Sequence, residues 1–167
     1  MPTLIRNGQV ASNDWQQVGM EAGLDSVIGA DTGKKILVPL AMWMAEKESL
    51  AGCGKEIGVW LESDDDPYEL ATDVGKLNLI ALNFPVFRDG RPFSAAAILR
   101  KRLGYRGELR AIGDVLRDQL FYMRQCGIDS FAIGDMVKVN EALDAFNDFA
   151  TSYQSTVVTP EPLFRRR

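Results

Sequence analysis

Short apolar runs recur along this chain, each followed by turn residues and then a longer stretch of mixed polarity. The runs are Lys35–Leu40 (KILVPL), Ile57–Leu61 (IGVWL), Leu77–Phe84 (LNLIALNF), Glu108–Ile112 (ELRAI) and Ser130–Ile133 (SFAI). Their length and their aliphatic and β-branched character predict strands, and Leu77–Phe84 is apolar enough to be covered on both faces, as parallel strands are. Pro39 cannot donate to a ladder and belongs at the end of its strand. Helices are predicted in between. Met42–Leu50 is closed by Gly52 and Gly54, and Tyr68–Lys76 follows the acidic entry Ser63-Asp64-Asp65-Asp66-Pro67. Ala95–Leu103 takes Ser94 as N-cap and Gly104 as terminator; the next helix runs from Val115 to about Gln125 behind Asp114; the last runs from Asp135 to about Tyr153.

The tetrapeptide Ala-Ile-Gly-Asp occurs at Ala111–Asp114 and again at Ala132–Asp135, each time after a strand-like run and before an amphipathic one. A strand, a Gly-Asp turn and a helix start are thus repeated. The fold expected is α/β, a parallel sheet of about five strands with alternating helices and right-handed crossovers, either half-barrel-like or compact and doubly wound. Residues 34–155 form the single α/β domain in this reading. Residues 1–33 are an irregular segment in which Arg6-Asn7-Gly8 suggests a hairpin turn, and they could cover one edge of the sheet. Residues 156–167, polar and ending in Arg165-Arg166-Arg167, read as a flexible tail.

Composition narrows the chemistry. The 167 residues include no histidine, which excludes a His-ligated metal, a Ser-His-Asp triad and a Cys-His nucleophile. Cys53 and Cys126 are far apart and form no Cys-x-x-Cys, so iron–sulfur and zinc sites lack ligands, and two lone thiols fit a reducing cytoplasm. No haem motif and no Gly-x-Gly-x-x-Gly fingerprint is present, which leaves the cofactor unknown and a flavin held by other contacts open. A net charge of −4 argues against a general nucleic-acid binder. Neither a leader nor an apolar membrane-spanning run is expected.

The charge is unevenly spread. Phe84–Gly134 holds nine basic and five acidic residues, a net of +4 within a chain of −4. In parallel sheets, sites gather where loops and helix N-termini meet the carboxyl ends of the strands. That rule places Glu62 and Ser63, the loop to Ser94, Gly113-Asp114 and Gly134-Asp135 on one rim. Within the richest loop, Gly90 permits a tight turn, Asp89 can brace an arginine fork, and Arg88 and Arg91 can face an anion. Arg110, Asp114, Arg117 and Asp118 complete the candidate anion- or partner-binding set. Arg110, in mid-strand, either meets a carboxylate or faces a ligand. The alternatives are a structural role, with the arginines paired internally in an oligomeric protein, and a small enzyme using Asp89, Asp114 or Glu62 as acid or base. Asp114 and Asp135 also read as plain helix caps, the three adjacent aspartates as a solvated first turn rather than a cation site, and Cys126 as packing.

The ordered string Phe84-Pro85-x-Phe87-x-Asp89-Gly90-Arg91-x-Phe93-Ser94, then Leu99-Arg100, then Gly107-Glu108-Leu109-Arg110-Ala111-x-Gly113-Asp114-Val115-Leu116-Arg117-Asp118-Gln119-Leu120 resembles the bacterial family filed as domain of unknown function 934. The resemblance spans roughly residues 35 to 135. It implies an oxidoreductase or accessory protein of assimilatory sulfite reduction, often encoded beside the sulfite reductase haemoprotein, which would then be the partner. It supplies no catalytic residues.

Overall fold

The computed structural model describes residues 3–29, 33–86, 88–134 and 137–146. Asp135, the far end of the last helix and residues 156–167 lie outside them. The chain opens with strands β1 (Thr3–Arg6) and β2 (Gln9–Ala11), a hairpin whose turn residues Asn7 and Gly8 have φ of 52° and 77°. Asparagine and glycine tolerate that left-handed backbone best. A two-residue strand β3 (Gln16–Gln17) and helix α1 (Leu24–Ile28) follow. The alternating part comprises β4 (Lys35–Pro39), α2 (Leu40–Ala51), β5 (Glu56–Leu61), a 3₁₀ turn at Pro67–Leu70, β6 (Leu79–Phe84), α3 (Arg91–Ala97), β7 (Glu108–Gly113), α4 (Arg117–Gln125), β8 (Ser130–Ile133) and α5 (Val139–Ala145). Helix α3 continues into a wider π-helical turn, Ile98–Arg102.

The described strands form one sheet in the order β2-β1-β8-β7-β6-β5-β4-β3, parallel from β3 to β8 and antiparallel only where β1 meets β8 and β2. Consecutive parallel strands are spatial neighbours throughout, so every right-handed crossover lands on the same side. The sheet is therefore a curled half-barrel with its helices on the convex face; a doubly wound sheet would reverse its strand order partway.

Side chains alternate accordingly. Ile36, Val59, Leu61, Ile80, Leu82 and Phe131 point into the main core, where Trp43, Leu50, Leu99, Leu120 and Met123 meet them from the helices. On the other face Leu37, Trp60, Leu79, Ala81 and Ile112 form a second, smaller cluster. No helix covers it. Trp15 packs there, and the buried Trp60 indole donates to the Val18 carbonyl at 3.0 Å, anchoring residues 13–18 across the concave face.

Four helices differ from expectation: α3 starts before Ser94, at Arg91, α5 starts at Val139 and not at Asp135, and two others differ more. Tyr68–Lys76 is only a 3₁₀ turn followed by irregular turns, because Thr72, Asp73, Val74 and Gly75 are weak helix formers and Asp73 is drawn inward. Helix α4 starts at Arg117 without a side-chain cap, so Asp114 belongs to the loop and not to the helix entry.

Asp73 is 1% exposed and receives the Trp43 indole N–H at 3.0 Å and the Lys47 ammonium at 2.6 Å, tying α2 to the loop before β6. Burial alone would raise its carboxyl, but the hydrogen bonds from Lys47 and Trp43 outweigh it and hold the group below its ordinary value. Its contribution is thus complete above the unfolded value of about 4 and lost as pH falls through the lower folded one. Asp73→Ala is expected to destabilise the protein by about 2–3 kcal/mol in urea titrations at pH 7, less than for a fully buried pair because Lys47 is one-third exposed. The deficit should shrink below about pH 4.

Candidate functional site

At the carboxyl ends of the parallel strands, β5 delivers Glu62 and Ser63, β6 leads into the loop carrying Arg88, Asp89 and Arg91, and β7 ends in Gly113-Asp114. Three of these loops are stitched together. The Asn83 amide donates to Glu62 at 2.8 Å, and the Asp114 N–H donates to the Phe84 carbonyl at 2.7 Å. Gly113 has a φ of 87°, and a Cβ there would run into Asn83 Oδ1 and sit 2.6 Å from the Phe84 carbonyl oxygen. Only glycine lets the ends of β6 and β7 approach so closely.

Arg91 is the fixed point of the rim. Its Nε and Nη2 donate to the two oxygens of Asp89 at 3.1 and 2.9 Å, and Nη2 also reaches Ser63 Oγ at 3.0 Å. The Arg91 backbone N–H donates to Asp89 as well, at 3.0 Å, so Asp89 organises both the fork and the start of α3. This explains why α3 begins at Arg91 and Ser94 lies exposed inside the helix instead of capping it. The hydrogen bonds from Arg91 and Ser63 hold the Asp89 carboxyl far below the usual carboxylate range. Asp89 is therefore a permanent anion near neutral pH and unsuited to act as a general base. The Arg91 side chain stays 62% exposed although its fork is held, and among the described residues its Nη1 has no protein partner.

The remaining candidates divide. Arg88, Asp114 and Asp118 are exposed on the same rim, and Arg117 is half-buried at the start of α4. Arg110 does not join them. It is 2% exposed on the concave face, with Nε and Nη2 on Glu108 Oε1 at 3.1 and 2.7 Å, Nε also on Ser130 Oγ at 3.2 Å, and Nη1 on Asn13 at 3.0 Å. Arg6 approaches the other Glu108 oxygen at 3.4 Å. Burial would raise the Glu108 carboxyl; Ser130, Arg110 and Arg6 together lower it. Beside this cluster lies a cavity of about 150 Å³ between Asn13, Trp15 and the strand residues Leu37, Ile112 and Ala132. Arg110 thus links the N-terminal segment to β7 and β8. Asn13 and Trp15 carry no motif, and their position over Arg110 follows only from the path of the chain.

The acidic run makes turns. Asp65 accepts the Glu62 N–H at 2.8 Å and Asp66 the Tyr68 N–H at 2.9 Å. Among the described residues no cluster of three or more Asp, Glu, Cys or His side chains could hold a metal ion, and no helix is long and apolar enough to cross a membrane. Burial pushes the Cys126 thiol up, which keeps it protonated and a poor nucleophile.

Residues 58–164 match the family model described as "Bacterial protein of unknown function (DUF934)". No curated protein matches the chain.

Because Arg110 is the covered partner of Glu108, Arg110→Met should cost up to about 3–5 kcal/mol, since it leaves that carboxylate only Ser130 and the half-exposed Arg6. Adding Glu108→Leu should recover part of that loss. Thermal denaturation of both variants checks the pair.

Proposed function

The chain belongs to the bacterial family of unknown function DUF934, and on that premise we propose that it is an accessory protein of assimilatory sulfite reduction, binding the sulfite reductase or a small oxyanion through its strand-end rim. The pathway rests on the family resemblance carried by the Phe84–Leu120 string. The site rests on one observation: the exposed Arg91 guanidinium is clamped by Asp89 and Ser63, so its free edge is already oriented when an anion arrives. Such pre-organisation lowers the ordering cost of binding. Arg88 lies exposed in the same loop and adds charge. Each charge-assisted hydrogen bond contributes roughly 1.5–3 kcal/mol, so two arginines alone would give about millimolar affinity for a free oxyanion. An acidic patch on a protein partner would engage more of the rim and bind more tightly. A role as acid or base for Asp89 fits poorly with its depressed carboxyl, and Glu62 is occupied by Asn83.

A strain lacking the protein should fail to grow on sulfate or sulfite and recover on sulfide or cysteine. Arg91→Glu should reproduce the defect, and because it also breaks the Asp89 fork its melting temperature is read beside that of Arg91→Ala, which should weaken reductase or sulfite binding about tenfold or more. Normal growth of the deletion strain on all four sulfur sources would remove the pathway; normal growth and unaltered binding with Arg91→Glu would remove the rim.

A further inference from the structure

The other end of the half-barrel also carries an opening. A cavity of about 680 Å³ lies at the amino ends of β7 and β8, bounded by Arg100 and Lys101 from the turn after α3, Arg106 from the loop before β7, Arg124 from α4 and the Asn7-Gly8 hairpin turn. That volume falls in the range of about 300–1,000 Å³ usual for small-molecule sites. Its wall carries four cations and one carboxylate, Asp129, on a chain whose net charge is −4.

The carboxylate is already engaged. Arg100, only 14% exposed, donates to the carbonyls of Tyr105, Gly107 and Gly127 at 2.8–2.9 Å and approaches Asp129 Oδ2 at 3.3 Å. The second Asp129 oxygen accepts the Leu109 N–H at 2.9 Å. Lys101, Arg106 and Arg124 therefore line one cavity with no carboxylate partner among the described residues, and all three are exposed. The helix dipole favours a cation in the last turn of α4 and of the turn after α3, but it does not account for Arg106, which is in a loop, nor for their convergence. Like charges gathered around one cavity repel, and an anion relieves that repulsion. Arg124 stands 5.9 Å from the Phe146 ring, which orients its guanidinium without occupying its N–H groups. Ile128, Phe131 and Phe146, themselves largely buried, form the apolar floor beneath these cations, against which the organic part of a ligand can rest.

We propose that this cavity binds a small organic phosphate or sulfate, its charged group held by Lys101, Arg106 and Arg124 and its organic part resting against Ile128 and Phe146. The site is distinct from the rim and stands whether or not the rim reading does. The test is isothermal titration of the full chain with adenosine diphosphate and, separately, with inorganic pyrophosphate at low ionic strength. Saturable binding of adenosine diphosphate, at least as tight as pyrophosphate, is expected. Arg106→Ala and Arg124→Ala should each weaken it about tenfold or more, and Lys138→Ala, exposed and outside the cavity wall, should leave it unchanged. Absence of saturable binding by the unmodified protein would overturn the proposal. So would binding of pyrophosphate alone, adenosine diphosphate binding undiminished in the Lys101→Ala/Arg106→Ala/Arg124→Ala triple variant, or binding lost with Lys138→Ala. Circular dichroism melting of each variant separates loss of the site from loss of fold.

Discussion

The right-handed crossover governs this molecule. Each strand from β4 to β8 pairs with the one before it, so each connection returns on the same side and the helices accumulate on the convex face. Among the described residues no helix lies on the concave face, yet Leu37, Trp60, Leu79 and Ile112 on it still have to be shielded from water. The N-terminal segment meets that need. Trp60 holds it through Val18, Trp15 packs on the apolar cluster, and Asn13 reaches Arg110. The hairpin of β1 and β2 extends the same sheet beyond β8, so the irregular-looking beginning of the chain is built into the fold at both edges.

Charge is distributed by the same geometry. The basic excess between Phe84 and Gly134 divides among three environments that are contiguous in sequence and separate in space. Arg88 and Arg91 sit at the carboxyl ends of the strands, Arg110 is sealed against Glu108 on the concave face, and Arg100, Lys101, Arg106 and Arg124 surround the cavity at the amino ends. Each environment gives the guanidinium a different role. Against Asp89 it is oriented but accessible, against Glu108 it is neutralised and covered, and around the cavity at the amino ends three of four cations have no carboxylate partner among the described residues. A protein acidic overall can in this way present positive potential at two opposite ends.

Much of the architecture was legible along the chain. Apolar runs of strand length located β4 to β8, the Gly-Asp repeat marked the strand ends, and the ordered string from Phe84 to Leu120 identified the family. Asp89 as a brace for an arginine fork could also be read from Arg-Asp-Gly-Arg, because a carboxylate two residues before an arginine, with glycine between, can turn back on it. Ser94 and Asp114 were misleading as caps, since a cap is defined by the backbone around it. At α3 Asp89 had already taken over the first turn, and at Asp114 the close approach enforced by Gly113 committed the backbone to Phe84.

Periodicity and turn chemistry are local properties, so the sequence by itself determined the strands, most of the helices, the absence of histidine chemistry and the arginine loop before α3. Strand order is not local. Half-barrel and doubly wound sheets share the same alternation, and only the tertiary arrangement decided that neighbours in sequence are neighbours in the sheet. It also decided which arginines are covered, because burial of Arg110 depends on Asn13, almost a hundred residues away, and the cavity at the amino ends of β7 and β8 draws its cations from two separate connections. Spacing along a chain carries no information about such meetings until the crossovers have folded it.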